Sequence, residues 1–270
     1  MEAYKIIQER EFRYIESSPN EGKTLVLLHG LMGALSNFEG IIKSFGEKYN
    51  VVVPILPLFE ISLRQISVNK LVHYLKDFLE FKQLKSVHLL GNSLGGHIAQ
   101  IYTIENPEKV KSMILTGSSG LFESAMGNTF PKRGNKDYIR KKTESVFYDP
   151  AVATDELVDE VFGIVTDLKK AMNVVAIAKS AVRHNLEDKL HKILTPTLLV
   201  WGIQDEVTPL WVGEKFHEML ANSELVKLDK CGHAPMMERP DVFNTVLESF
   251  MDRVENEKFE GKASSVQIIS

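Results

Sequence analysis

The chain has 270 residues, 44% of them hydrophobic and 25% charged, the composition of a globular protein with bulk enough for a large core. A net charge of −4 argues against nucleic-acid binding, and a single cysteine, Cys231, excludes an intrachain disulfide and a multi-cysteine metal site. No uninterrupted apolar run approaches a membrane span. The start Met1-Glu2-Ala3-Tyr4-Lys5 lacks the basic and apolar regions of a signal peptide, so a cytoplasmic location is expected.

Residues 4–16 mix apolar and charged types in rough alternation and read as one or two antiparallel edge strands. Ser17-Ser18-Pro19-Asn20-Glu21-Gly22 is a turn. Thr24-Leu25-Val26-Leu27-Leu28 is a buried strand that runs into His29-Gly30-Leu31-Met32-Gly33. Helical periodicity over about 37–48 precedes a strand at Val51-Val52-Val53-Pro54-Ile55-Leu56. Apolar residues at 68, 71, 72, 75, 78 and 79 predict a helix over 68–81. Val87-His88-Leu89-Leu90 is a further strand, 94–105 a helix, and Met113-Ile114-Leu115-Thr116-Gly117 the next strand. This rhythm indicates a parallel sheet with helices on both faces.

The rhythm breaks after Ser118. Residues 121–191 contain no strand-like run and read as a helical insertion, with helices at about 137–147, 155–169 and 170–184. Strands resume at 197–201 and 224–228, with helices at about 210–220 and 241–255. Residues 257–270 read as a polar, poorly ordered tail.

Gly91-Asn92-Ser93-Leu94-Gly95 joins a strand to a helix and fits G-x-S-x-G. In such a turn the serine lies in strained backbone above the sheet edge, at the positive end of the following helix. An ordinary glycine-rich turn is the plainer reading, and context separates the two. A nucleophilic serine needs a base, an acid to orient the base, and two N–H donors for the developing oxyanion. Chain order places the acid and then the histidine after later strands. Asp205 follows strand 197–201, with Glu206 as its neighbouring competitor, and His233 follows strand 224–228. Ser93 is thus the candidate nucleophile, His233 the acid–base and Asp205 its orienting group. The N–H groups of Leu31 and Leu94 are the candidate oxyanion donors. His29 is read as bracing the loop, His97 as structural and Cys231 as a small buried residue.

His29-Gly30, Gly91-Asn92-Ser93-Leu94-Gly95-Gly96, Asp205 in a strand-end loop and Cys231-Gly232-His233, in this order, resemble the α/β-hydrolase family over residues about 4–255. The resemblance implies an α/β-hydrolase fold. Its mostly parallel eight-stranded sheet has helices on both faces and a helical cap inserted after the sixth strand. It divides the chain into a core over 1–120 and 192–256, a cap over 121–191, and the tail. Gly-Asn-Ser-x-Gly-Gly with a cap is similar to carboxylesterases and to hydrolases that cleave carbon–carbon bonds of aromatic ring-fission (meta-cleavage) products. Two departures stand out. The segment after strand 51–55 reads Pro54-Ile55-Leu56-Pro57-Leu58-Phe59 without the glycines common in relatives. Ala234 stands where the carbon–carbon hydrolases commonly carry Trp.

Within the insertion, Lys132, Arg133, Lys136, Arg140, Lys141 and Lys142 read as a solvated helix face, with binding of an acidic substrate as the alternative, and Arg183 as a surface residue, with reach into the pocket as the alternative. Phe122, Met126, Phe162 and Met172 read as cap core, with an acyl-pocket lining as the alternative. The expected activity is hydrolysis of an ester or ester-like acyl bond of a small-molecule substrate. Carbon–carbon hydrolysis, a slow-turnover ligand-binding or signalling module, and acyl transfer to a small alcohol are the alternatives. No metal or organic cofactor, no nucleic acid and no membrane are expected as partners, and the chain is expected to be a monomer or homodimer.

Overall fold

A computed structural model describes residues 4–17, 22–32, 35–122, 134–264 and 266–270. Its nine described strands form one sheet: β1 (Ile7–Glu9), β2 (Phe12–Glu16), β3 (Thr24–Leu28), β4 (Asn50–Pro54), β5 (Val87–Asn92), β6 (Val110–Thr116), β7 (Thr197–Gly202), β8 (Ser223–Leu228) and β9 (Val266–Ile269). Their order is β1-β2-β4-β3-β5-β6-β7-β8-β9. β1 and β2 pair antiparallel, β2 pairs antiparallel with β4, and all other pairings are parallel.

The apolar runs alternate between two faces. Val26 and Leu28 of β3 point into one core layer with Leu71, Leu75 and Phe78 of α2 (Val68–Phe81) and Ile98 of α3 (Leu94–Glu105). Leu25 and Leu27 point into the opposite layer, with Ile41 and Phe45 of α1 (Glu39–Phe45) and helix 240–255. Burial on both sides is why these strands read as continuous hydrophobic runs.

The chain leaves β3 toward β4 on one side and returns to pair β5 on the other, so Leu28 lies opposite Gly91. Two loops therefore diverge at the carboxyl ends of β3 and β5, where open α/β sheets form their ligand crevice. β7 and β8 also run parallel, with Gly202 opposite Leu228, and they deliver two further loops to that edge.

The insertion holds α4 (Lys136–Glu144), α5 (Asp155–Thr166) and α6 (Leu168–Arg183). The side chains of Asn135, Thr154 and Asp167 cap them by accepting from the N–H groups of Tyr138, Leu157 and Lys170. Asn173 of α6 is buried and donates to the carbonyls of Leu58 (2.9 Å) and Ile61 (3.0 Å). The glycine-poor loop after β4 is thus tied to the insertion by side-chain bonds. Asn173→Ala is expected to cost about 2 kcal/mol, because both carbonyls lose their donor. Urea unfolding of the variant measures it, and a change within 0.5 kcal/mol, the usual range for a surface substitution, would disprove the clamp.

After β7 come α7 (Leu210–Met219), the short α8 (Pro235–Glu238) and α9 (Pro240–Glu255). The tail departs from expectation. Val266–Ile269 adds the ninth strand by pairing parallel with β8, and Arg239 donates to the carbonyl of Ser270 (3.0 Å). Four residues are too few for alternation to show in the sequence, and the edge of β8 supplies the partner. No described helix is long and apolar enough to cross a membrane.

Candidate active site

β5 ends at Asn92 and α3 starts at Leu94, so Ser93 alone makes the turn, with φ +53° and ψ −119°. A Cβ on Gly95 would lie 2.0 Å from the Leu28 carbonyl oxygen, and one on Gly91 2.4 Å from the Gly95 carbonyl. The two glycines are therefore set by close backbone approach. The N–H groups of Gly96 and His97 bond back to the Ser93 carbonyl (3.0 and 3.2 Å). Those of Leu94 and Gly95 precede the helix's own hydrogen-bond ladder, at its positive end.

His233 Nδ1 lies 2.9 Å from Asp205 Oδ2. Asp205 is buried, and its loop supplies the rest of its bonds. Oδ1 accepts from the N–H groups of Val207 (2.8 Å) and Thr208 (2.9 Å), and Oδ2 from the Thr208 hydroxyl (2.9 Å). The indole N–H of Trp201 in turn donates to the Thr208 carbonyl (2.8 Å). Glu206 is exposed and stands at the rim of the crevice, and Asp205 is the acid seen bonded to the histidine. With Nδ1 committed to the carboxylate, Nε2 is the nitrogen left for proton transfer.

Ser93 and His233 line one cavity of about 340 Å³. Its walls are mostly apolar and include Val146, Leu157 and Val161 of the insertion and Met237 of α8. Gly30 and Leu31 line it too, and a Cβ on Gly30 would lie 3.3 Å from that of Ser93. The β3 loop thus runs directly against the Ser93 turn. His29 braces it: Nδ1 donates to the Gly30 carbonyl (2.9 Å), and Nε2 accepts from the Leu56 N–H (3.0 Å). Burial lowers the His29 pKa, consistent with a neutral ring in these roles.

Residues 23–148 match the family model described as alpha/beta hydrolase fold, and 170–260 match one described as TAP-like protein. The crystal structure of MGS-MChE2, an alpha/beta hydrolase enzyme from the metagenome of Mar Chica lagoon sediments, Morocco, is 42% identical. It covers 93% of this chain and 99% of its own, with a TM-score of 0.76. The chain belongs to the α/β-hydrolase family. The bovine (Bos taurus) monoacylglycerol lipase ABHD6 is 26% identical over 275 residues, 92% of this hydrolase and 81% of its own length. The 2-hydroxy-6-oxononadienedioate/2-hydroxy-6-oxononatrienedioate hydrolase of a Pseudomonas species is 25% identical over 260 residues, 89% and 92%.

Three residues brace the site in ways the sequence did not indicate, although Asn92 lies within the Gly-Asn-Ser-x-Gly-Gly motif. Thr208 braces Asp205. Asn92 donates to the carbonyls of Thr116 (3.0 Å) and His233 (3.2 Å), tying the histidine loop to β5 and β6. Glu238 accepts from the N–H groups of Tyr148 (2.7 Å) and Gly232 (2.9 Å), joining the insertion to the histidine loop. The Val146 carbonyl accepts from the His233 N–H (3.0 Å), a second tie of the same kind.

The insertion's candidate residues separate. Lys132, Arg133 and Met126 lie outside the described residues. Lys136 pairs with Asp159, and Arg140 with Asp155 (2.5 Å), on the surface, while Lys142 reaches the cavity rim. Phe122 packs on Trp211, with ring centroids 5.1 Å apart. Phe162 packs on Ile139, Val161 and Val165, and Met172 is 45% exposed. None of these three lines the 340 Å³ cavity. Arg183 is exposed, and Cys231 is fully buried with its thiol pKa raised by desolvation.

His97 is buried and donates through Nε2 to the His184 carbonyl (2.9 Å) at the end of α6. Burial, with His184 adding to it, lowers its pKa from 6.5 to about 4. The unfolded chain therefore binds a proton between pH 6.5 and about 4 that the folded chain refuses. This contribution is fully present above pH 6.5 and is lost as pH falls toward 4, by about 2 kcal/mol at pH 5. His29 and His88 are lowered in the same direction, also chiefly by burial. Urea unfolding at pH 7 and pH 5 is expected to show the loss, and a smaller loss in His97→Gln. An equal loss in the variant would clear His97.

Proposed function

We propose that this α/β hydrolase cleaves an ester-type acyl bond of a small-molecule substrate, through an acyl-enzyme on Ser93. The observation that carries the reading is the 2.9 Å bond from His233 to a buried, fully hydrogen-bonded Asp205, with His233 and Ser93 on one cavity. In the first step Ser93 Oγ bonds to the acyl carbon while its proton passes to His233 Nε2. The tetrahedral oxyanion takes hydrogen bonds from the Leu31 and Leu94 N–H groups, about 3 kcal/mol for one such donor. The bond to the leaving alcohol then breaks, and His233 gives that oxygen its proton. Water, deprotonated by His233, attacks the acyl-enzyme and releases the carboxylic acid and free Ser93. In this reading residues 121–191 form a cap, supported by the insertion's share of the cavity wall and its ties to the His233 loop.

Intact-mass labelling with a fluorophosphonate, beside p-nitrophenyl ester hydrolysis, tests the reading. One adduct on the wild type, none on Ser93→Ala, and ester turnover are expected. Absence of an adduct on the wild type would refute the triad. The Pseudomonas relative favours a second reading, carbon–carbon hydrolysis, which uses the same three residues. Ala234 in place of the common Trp counts against it. Labelling at Ser93 with turnover of a vinylogous diketone but of no ester would replace the first reading by the second.

A further inference from the structure

Ser93 stands between two cavities of very different size. Beside the 340 Å³ space lies one of about 50 Å³, and Ser93, Leu31 and Val207 line both. The small cavity is lined by Ile177, Ala178 and Ala181 of α6 and by Leu94, next to Ser93. His233 lines only the large one.

This asymmetry fixes which half of an ester goes where. When the tetrahedral intermediate collapses, the leaving oxygen must lie within hydrogen-bond reach of His233 Nε2 to receive its proton. The alcohol half therefore lies on the side that His233 lines, the large cavity. The carbonyl oxygen points at the Leu31 and Leu94 N–H groups, and the acyl substituent is left with the small cavity. An apolar cavity of about 150 Å³ holds benzene, or about 25 Å³ per carbon. On that scale the small cavity takes about two carbons beyond the carbonyl, and the large one about thirteen.

We propose that the enzyme is selective for acetyl and propionyl esters of bulky apolar alcohols, with α6 as the wall that limits acyl length. The proposal rests on the Ser93–His233 reading above. Ile177 and Ala178 are the residues that set the limit. Replacing Ile177 by Ala removes wall, and replacing Ala178 by Leu fills the space. Both lie on α6, apart from the residues that exchange protons.

The experiment uses the full chain and two ester series. With p-nitrophenyl as the constant leaving group, kcat/KM is expected to peak at acetyl or propionyl and to fall at least 30-fold by hexanoyl. With acetyl constant, kcat/KM is expected to rise as the alcohol grows from ethyl to octyl. Ile177→Ala is expected to move the acyl optimum one or two carbons longer. Ala178→Leu is expected to lower propionyl at least tenfold relative to acetyl. A wild-type optimum at hexanoyl or longer would overturn the proposal, as would an optimum that neither variant moves. Fluorophosphonate labelling of each protein separates the two levels. An adduct at Ser93 with the wrong chain-length order sinks the pocket assignment alone, and no adduct sinks the mechanism beneath it.

Discussion

Ser93→Ala is expected to lower kcat by about 10⁶, because a nucleophile that works as one unit with its base takes nearly the whole covalent route with it. Residual hydrolysis about 10³–10⁴ above the uncatalysed rate would remain from the oxyanion donors and binding. Ester hydrolysis measured with the variant at high protein concentration checks this. Activity within a hundredfold of wild type would remove Ser93 from the chemistry. A companion variant separates activity from strain. Ser93 is held at φ +53°, a conformation that side chains with a Cβ adopt at a cost of about 1–3 kcal/mol. Ala keeps the Cβ and hence the strain, whereas Gly relieves it and pays part of the gain back in unfolded-chain entropy. Ser93→Gly is therefore expected to be as inactive as Ser93→Ala and about 1 kcal/mol more stable than it. Denaturant midpoints of the two variants give the comparison, and equal midpoints would mean that the turn stores no strain at this residue.

Asp205→Asn is expected to lower kcat by about 10⁴ with little change in KM. The hydrogen-bond pattern gives the reason. Oδ1 of Asp205 accepts two backbone N–H groups, a role that an amide oxygen keeps and an amide nitrogen cannot take. The new NH2 group is therefore forced to the Oδ2 position, facing His233 Nδ1 at the 2.9 Å contact. Two donors cannot share that contact, so Nδ1 becomes an acceptor and the proton moves to Nε2. An imidazole protonated there has no lone pair for the Ser93 proton. The loop fold itself keeps its backbone bonds, so thermal stability is expected to change far less than activity. The rate of fluorophosphonate labelling at Ser93 is expected to fall in parallel with kcat. Wild-type labelling in this variant would show that Asp205 orients nothing.

Much of the sheet was legible from the sequence because its strands are buried on both faces. Thr24–Leu28 and the helix Val68–Phe81 run where the apolar pattern puts them. β9 was not legible, because its stability comes from the open edge of β8 and from Arg239 rather than from any pattern of its own. The insertion's three helices were visible as periodicity. Its packing was not, since Phe122, Phe162 and Met172 are all apolar yet only the tertiary arrangement sends them to Trp211, to a small core and to the surface.

Residue type along the chain suffices for the strand–helix alternation, the glycines that permit the turn at Ser93, and the chain order of serine, acid and histidine. Each is a local requirement, met by residue type at a fixed position along the backbone. The tertiary structure decided what depends on approach between distant segments. It chose Asp205 over Glu206 through the N–H groups of Val207 and Thr208, and it seated His233 with bonds from Asn92 and Val146. It also gave Ser93 two cavities of unequal volume, the smaller lined by α6 and the larger by α4 and α5. Volume is a property of packed surfaces that meet from different parts of the chain, and no single stretch of sequence carries it.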